Sequence, residues 1–90
     1  MIYFLYRLLG VIVLRYFERL RDLREDADKK QSDIAEVLGT TQQYYAEYES
    51  GKHPLPVDRL RQLCEYYQVS ADYILGLPEG LPYGKSKTRT

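Results

Sequence analysis

Between Gln31 and Glu49 the chain reads QSDIAEVLGTTQQYYAEYE, and the placing of one alanine and one glycine in that stretch leaves few folds open. Ile34, Ala35 and Leu38 recur at the spacing of one helical face, and Tyr45 and Tyr48 repeat it further on. Ala35 carries only a methyl group, so a second helix can press close against the first. Gly39 falls where the first helix ends and supplies a left-handed backbone that residues with a Cβ adopt at a steric cost. Thr41 then offers a hydroxyl as N-cap of the next helix. These residues predict two short helices crossing at a tight angle, with Gln42, Gln43 and Tyr44 facing outward from the first turn of the second.

The same reading extends along the chain. Phe17, Leu20, Leu23 and Ala27 recur at helical spacing among charged residues, which predicts a first helix from Tyr16 to about Ala27. Gln31 to Leu38 is the second helix and Thr41 to about Ser50 the third, stopped by Ser50-Gly51-Lys52-His53-Pro54. Pro56 suits a helix start and opens a fourth helix running to about Tyr67, with Val57, Leu60, Leu63, Cys64 and Tyr67 on its apolar side. Ser70 caps a short fifth helix, Ala71 to Leu75, ended by Gly76 and Pro78. The expected organisation is an apolar N-terminal extension (1–14), a helical domain (15–77) and a mobile basic tail (78–90), rich in Gly, Pro, Ser, Thr and Lys.

The extension, MIYFLYRLLGVIVL, is the part that periodicity does not decide. It falls short of the roughly 20 apolar residues that span a bilayer. It also contains Arg7 and Gly10, and it lacks a basic leading region and a small-residue cleavage site, which argues against a membrane span or a signal peptide. It can extend the first helix, dock on the body, pair with another chain, or precede a domain that begins near Val13 or Leu14.

Composition removes several classes of function. Ninety residues allow one domain with a modest core. A single cysteine, Cys64, forms no intrachain disulfide and lies on an apolar face, which points to core packing in a reducing cytoplasm. His53 is the sole histidine and has no ligand cluster around it in the sequence, so no metal site and no other cofactor are expected. No Ser/His/Asp set or phosphate-cradling glycine loop is present, so the reading is not an enzyme. The 13 basic and 13 acidic residues cancel, and any case for nucleic-acid binding rests on their distribution. Asp22, Glu25, Asp26 and Asp28 crowd one segment, whereas Lys29, Lys30, Lys52 and His53 bracket the crossed pair.

Two helices so joined form a helix-turn-helix, a unit whose second helix enters the DNA major groove and whose first turn meets base edges. Leu23-Arg24, Gln31 with Ile34-Ala35 and Leu38-Gly39, Tyr48-Glu49-Ser50-Gly51-Lys52, and Val69-Ser70-Ala71-Asp72-Tyr73-Ile74-Leu75-Gly76 together carry a resemblance. Over about Tyr16 to Leu77 the chain resembles the Cro/C1-type (XRE-like) helix-turn-helix regulators of bacteria and phages. The resemblance implies an all-α, compact five-helix bundle of the lambda-repressor-like DNA-binding type. Gly39-Thr40-Thr41-Gln42-Gln43 is also similar to the start of the recognition helix of a lambdoid phage repressor whose paired glutamines read bases.

Residue by residue, the resemblance puts Gln42 and Gln43 at base edges, Thr41 near a thymine methyl or a backbone phosphate, and Lys30, Gln31, Tyr44, Ser50 and Lys52 at phosphates; Glu47, on the groove side, either contacts a base or weakens binding. Arg24 and Glu49 match a position pair that forms an internal ion pair. A glutamine amide has the donor and acceptor that match N7 and N6 of adenine. Some residues depart from the pattern. Glu47 repels phosphate unless it accepts from cytosine N4. Lys29 stands where relatives place a buried leucine, Thr40 replaces an apolar turn residue, and Tyr45 replaces a smaller aliphatic one. His53 and Pro54 replace more basic residues, which implies fewer phosphate contacts.

The implied function is sequence-specific binding of double-stranded DNA by a transcription regulator, a repressor acting as a homodimer on a palindromic operator. The dimer contact would come from Leu55 to Val57, from the fifth helix, or from the apolar extension. Two alternatives stay open: a protein–protein module such as an antitoxin-like domain, and a membrane-attached regulator held by its N-terminal segment.

Overall fold

Among residues 15–78 and 80–82, which the computed structural model describes, the backbone forms five α-helices and no strand. They are α1 (Tyr16–Asp26), α2 (Gln31–Leu38), α3 (Gln42–Glu49), α4 (Val57–Tyr67) and α5 (Ala71–Leu75). The expectations for 1–14 and for the end of the tail lie outside the described residues.

Each boundary has a local cause. The backbone N–H groups of Arg15 and Lys30 donate to carboxylates three residues on, Glu18 and Asp33, each at 2.8 Å, which satisfies donors that the first turns of α1 and α2 leave free. Thr41 and Ser70 accept from the N–H of Tyr44 and Tyr73, each at 3.1 Å, and start α3 and α5. Gly39 ends α2 with φ 73°, and Thr40 N–H donates back to the Ala35 carbonyl at 3.0 Å, so the chain reverses within one residue of the helix end.

The core is the set Leu20, Ile34, Ala35, Leu38, Tyr45, Tyr48, Leu63 and Ile74, drawn from all five helices. Leu23, Leu55, Leu60, Cys64, Tyr67 and Val69 pack around it. Helix α2 lies chiefly on α3, α1 on α3 and α5, and α4 on α5 and α2, so α3 is gripped from behind by two elements. Ala35, Tyr45 and Tyr48 are buried in one cluster where α2 meets α3, so a larger residue at 35 would overpack it.

Some expected positions differ. Ala27 is exposed and serves as the C-cap of α1 rather than part of its apolar face, because the chain turns away through Asp28 at φ 60°. Pro56 is the N-cap of α4, not its first residue, and Val57 at 78% exposure stands clear of the core. Val57 is the first residue of its helix, and the apolar stripe sinks into the bundle only from Leu60 onward.

Candidate nucleic-acid interface

The orientation of α3 is set on its buried side by Glu49. Arg24 of α1 grips that carboxylate with two N–H groups, Nε to Oε2 at 2.7 Å and Nη2 to Oε1 at 3.0 Å. Its Nη1 donates to the Lys29 carbonyl at 3.0 Å, so one guanidinium ties α1, the α1–α2 turn and the end of α3 together. Burial alone would push the Glu49 carboxyl upward. Hydrogen bonds from Arg24 and Gln31, with the Tyr45 hydroxyl close by, outweigh it and hold the group below the ordinary carboxylate range. The buried Tyr45 hydroxyl lies beside the carboxylate without reaching strict hydrogen-bond geometry, and burial raises it far above a normal phenol. Glu49 in turn holds the Arg24 guanidinium further up in its charged form.

From Glu49 a chain of amides leads to the surface. Gln31 Nε2 donates to Glu49 Oε1 at 3.1 Å, and Gln31 Oε1 accepts from Gln42 Nε2 at 3.1 Å. Gln42 is therefore aimed by a glutamine on another helix, which is itself aimed by a buried ion pair. A primary amide has two N–H groups and a carbonyl, so this bond leaves Gln42 one donor and its acceptor for a ligand. Gln31 likewise keeps one N–H. Gln43 is exposed beside it, and the Thr41 hydroxyl, which accepts from Tyr44 N–H, retains its proton as a donor.

The far end of α3 is organised differently. Glu47 lies one turn beyond Gln43 on the same face, and its carboxylate meets His53 Nε2 at 2.8 Å and Lys52 Nζ at 3.6 Å. The His53 ring stacks on Tyr44, centroids 4.9 Å apart and planes 19° from parallel, while Tyr44 sets its edge against Tyr48. Arg59 of α4 donates to the Tyr48 hydroxyl at 2.8 Å. Ser50 Oγ donates to the Glu47 carbonyl at 3.2 Å and receives Lys52 N–H at 3.4 Å, so this hydroxyl closes the helix end and its proton is engaged there. Lys29 and Lys30 are exposed at the α2 entrance. Cys64 packs against the core as a free thiol, pushed up by burial, which disfavours the reactive thiolate.

The residues that build this geometry are also the ones a family model recognises: a model described as helix-turn-helix domain matches residues 18–74, well over half of the chain. The chain belongs to the helix-turn-helix family. Its helix-turn-helix domain is 39% identical over 64 residues to an uncharacterised HTH-type transcriptional regulator, YobD, of Bacillus subtilis (strain 168). That match takes in 71% of this chain and 57% of the relative's length, so the chain spans little more than half of the protein it resembles. A crystal structure of a transcriptional regulator from Listeria innocua superposes with a TM-score of 0.69 at 26% identity, covering 82% of this chain and 68% of that one. No helix among the described residues is long and apolar enough to cross a membrane.

Within the helix-turn-helix domain, Gln42, Gln43 and Tyr44 are exposed in the first turn of α3, Thr41 is its exposed N-cap and Glu47 is partly exposed one turn on, while Lys30 and Gln31 stand at the start of α2. Two features have no local signal in the sequence. The Gln31–Gln42 bond joins side chains 11 residues apart on separate helices, and the pairing of His53 with Glu47 depends on how the loop after Gly51 folds back. Its one backbone clue is the His53 N–H, which donates to the Glu47 carbonyl at 3.2 Å.

Proposed function

We propose that this chain is a sequence-specific duplex DNA-binding transcription regulator, a repressor that binds a palindromic operator as a dimer. The observation that carries the reading is the relay Arg24–Glu49–Gln31–Gln42, which runs from the buried Glu49 carboxylate to an exposed amide at the first turn of α3. An amide held in place before binding loses little side-chain freedom when it meets a base. With α3 in the major groove, Gln42 and Gln43 face base edges, where a bidentate adenine contact is worth about 1–3 kcal/mol of discrimination. Thr41 reaches a thymine methyl or a phosphate, and Glu47 bears on the base at the far end of the helix.

Lys30, Gln31, Tyr44 and Lys52 flank α3 and serve the phosphates, with Ser50 acting by closing the helix on which they depend. One such unit covers little DNA, and two half-sites about one helical turn apart supply the remaining affinity. A dimer surface including Leu55, Pro56 and the exposed Val57 leaves α3 free, and repression follows from occupying the operator. Both named relatives are transcriptional regulators, which supports the reading.

Gel-shift titration of the full chain at several salt concentrations tests this. Retardation of specific duplexes that weakens with salt, and that is lost in the Gln42→Ala/Gln43→Ala double variant, supports it. Salt-independent retardation, or none, refutes it.

A further inference from the structure

The cluster at the C-terminal end of α3 presents a problem for a DNA-facing surface: Glu47 puts a carboxylate on the same stripe as Gln43, where phosphates approach. The structure answers it with two cationic side chains of different kinds. Lys52 Nζ at 3.6 Å is a permanent charge, and His53 Nε2 at 2.8 Å is a conditional one. The side chain of His53 remains 36% exposed, and its ring is pinned flat on Tyr44. With Nε2 committed to Glu47, Nδ1 is the nitrogen left for a ligand.

Resting on the reading of α3 as the groove-entering helix, we infer that His53 is a proton-controlled phosphate contact, positioned by Glu47 and Tyr44, so that duplex affinity rises as His53 takes up a proton. The protonated ring donates at both nitrogens. It neutralises Glu47 through Nε2 and presents Nδ1–H to a backbone phosphate. The neutral ring, donating through Nε2, turns a lone pair outward instead. Glu47, Lys52, Tyr44 and His53 then carry one more positive charge in the protonated state than in the neutral one. Among the described residues, the groups facing His53 are Glu47 and Tyr44 from α3 and Lys52 from its own loop, with Arg59 of α4 one ring further back on Tyr48. His53 is the sole histidine of the chain, so no other imidazole contributes to a pH dependence.

The test is fluorescence anisotropy of the full chain with a labelled mixed-sequence duplex at low salt, where phosphate contacts dominate, at about pH 6 and about pH 8. Wild-type protein should bind about three- to tenfold more tightly at the lower pH. His53→Gln should lose that difference, with any residue of it reporting other groups such as the chain's amino terminus. His53→Arg, planar and permanently charged, should bind tightly at both. The His53 backbone N–H, which holds the loop to Glu47, survives either substitution, and equal melting temperatures verify that both variants fold.

An independent readout is the NMR titration of the His53 ring, whose midpoint should move up when duplex is added. The same affinity ratio in His53→Gln as in wild type, or an unmoved midpoint, overturns the inference while leaving DNA binding intact. Absence of duplex binding by wild type at both pH values overturns it together with the DNA reading.

Discussion

Glu47 and Glu49 are the same residue two positions apart on the same helix, and the fold gives them opposite tasks. Glu49 turns inward, its side chain 4% exposed, and is held by a two-pronged guanidinium and an amide from two other helices. Glu47 turns outward at 21% exposure and meets a lysine and a histidine from the adjoining loop. The first carboxylate ties α3 to α1 and α2, and the second ties it to the loop that follows. The difference teaches that a charge on a helix has no role until its face is known, because two residues carry the backbone through more than half a helical turn.

The largest effect expected from that contrast is on Glu49. Glu49→Ala leaves the Arg24 guanidinium without its partner in a site where only 12% of that side chain is exposed, and should cost about 3–5 kcal/mol of unfolding free energy in urea. A loss below about 1 kcal/mol would place Glu49 with ordinary surface pairs and break the comparison.

Acid sharpens it further. The folded Glu49 carboxyl lies below its ordinary value of 4.5, so its contribution is fully present above that value and disappears as pH falls through the lowered one. Thermal melts should therefore fall more steeply on acidification for wild type than for Glu49→Gln. Parallel curves would remove Glu49 from the acid response.

A smaller cost is expected where the helix end is joined to α1. Gly51 has φ 82°, and a Cβ there would come within 2.8 Å of the Phe17 ring, so Gly51→Ala should destabilise by about 1–3 kcal/mol. An unchanged urea midpoint would mean that Phe17 gives way freely. The smallest effect belongs to Glu47: Glu47→Gln should shift stability by no more than about 0.5 kcal/mol, since its partners Lys52 and His53 are 68% and 36% exposed and solvent screens both pairs. Loss of folding in that variant would show that the outward carboxylate is structural after all.

Most of the fold was legible because its signals are local. Gly39, Thr41, Ser70 and Gly76 each mark a helix end through their own backbone or hydroxyl chemistry, and all four stand at helix boundaries. Ile34, Ala35, Leu38, Tyr45 and Tyr48 declare the crossing by their spacing, and all five are buried. Val57 misled because a helical stripe says which face is apolar but not where along the helix the neighbours begin. The candidate site was less legible. Arg24 and Glu49, 25 residues apart, were paired only through a family resemblance, since no period links them. The Gln31–Gln42 bond and the Glu47–His53–Tyr44 cluster depend on rotamers chosen across elements, which one sequence does not encode visibly.

Binding-site selection from random duplexes, run in parallel on wild type and Gln42→Ala/Gln43→Ala, bears most directly on whether the amides of α3 read bases. Wild type should enrich two symmetric half-sites, and the double variant should lose preference at adjacent positions within each while still binding duplex at low salt. Enrichment of the same motif by both proteins, or of no motif by wild type, would contradict that assignment.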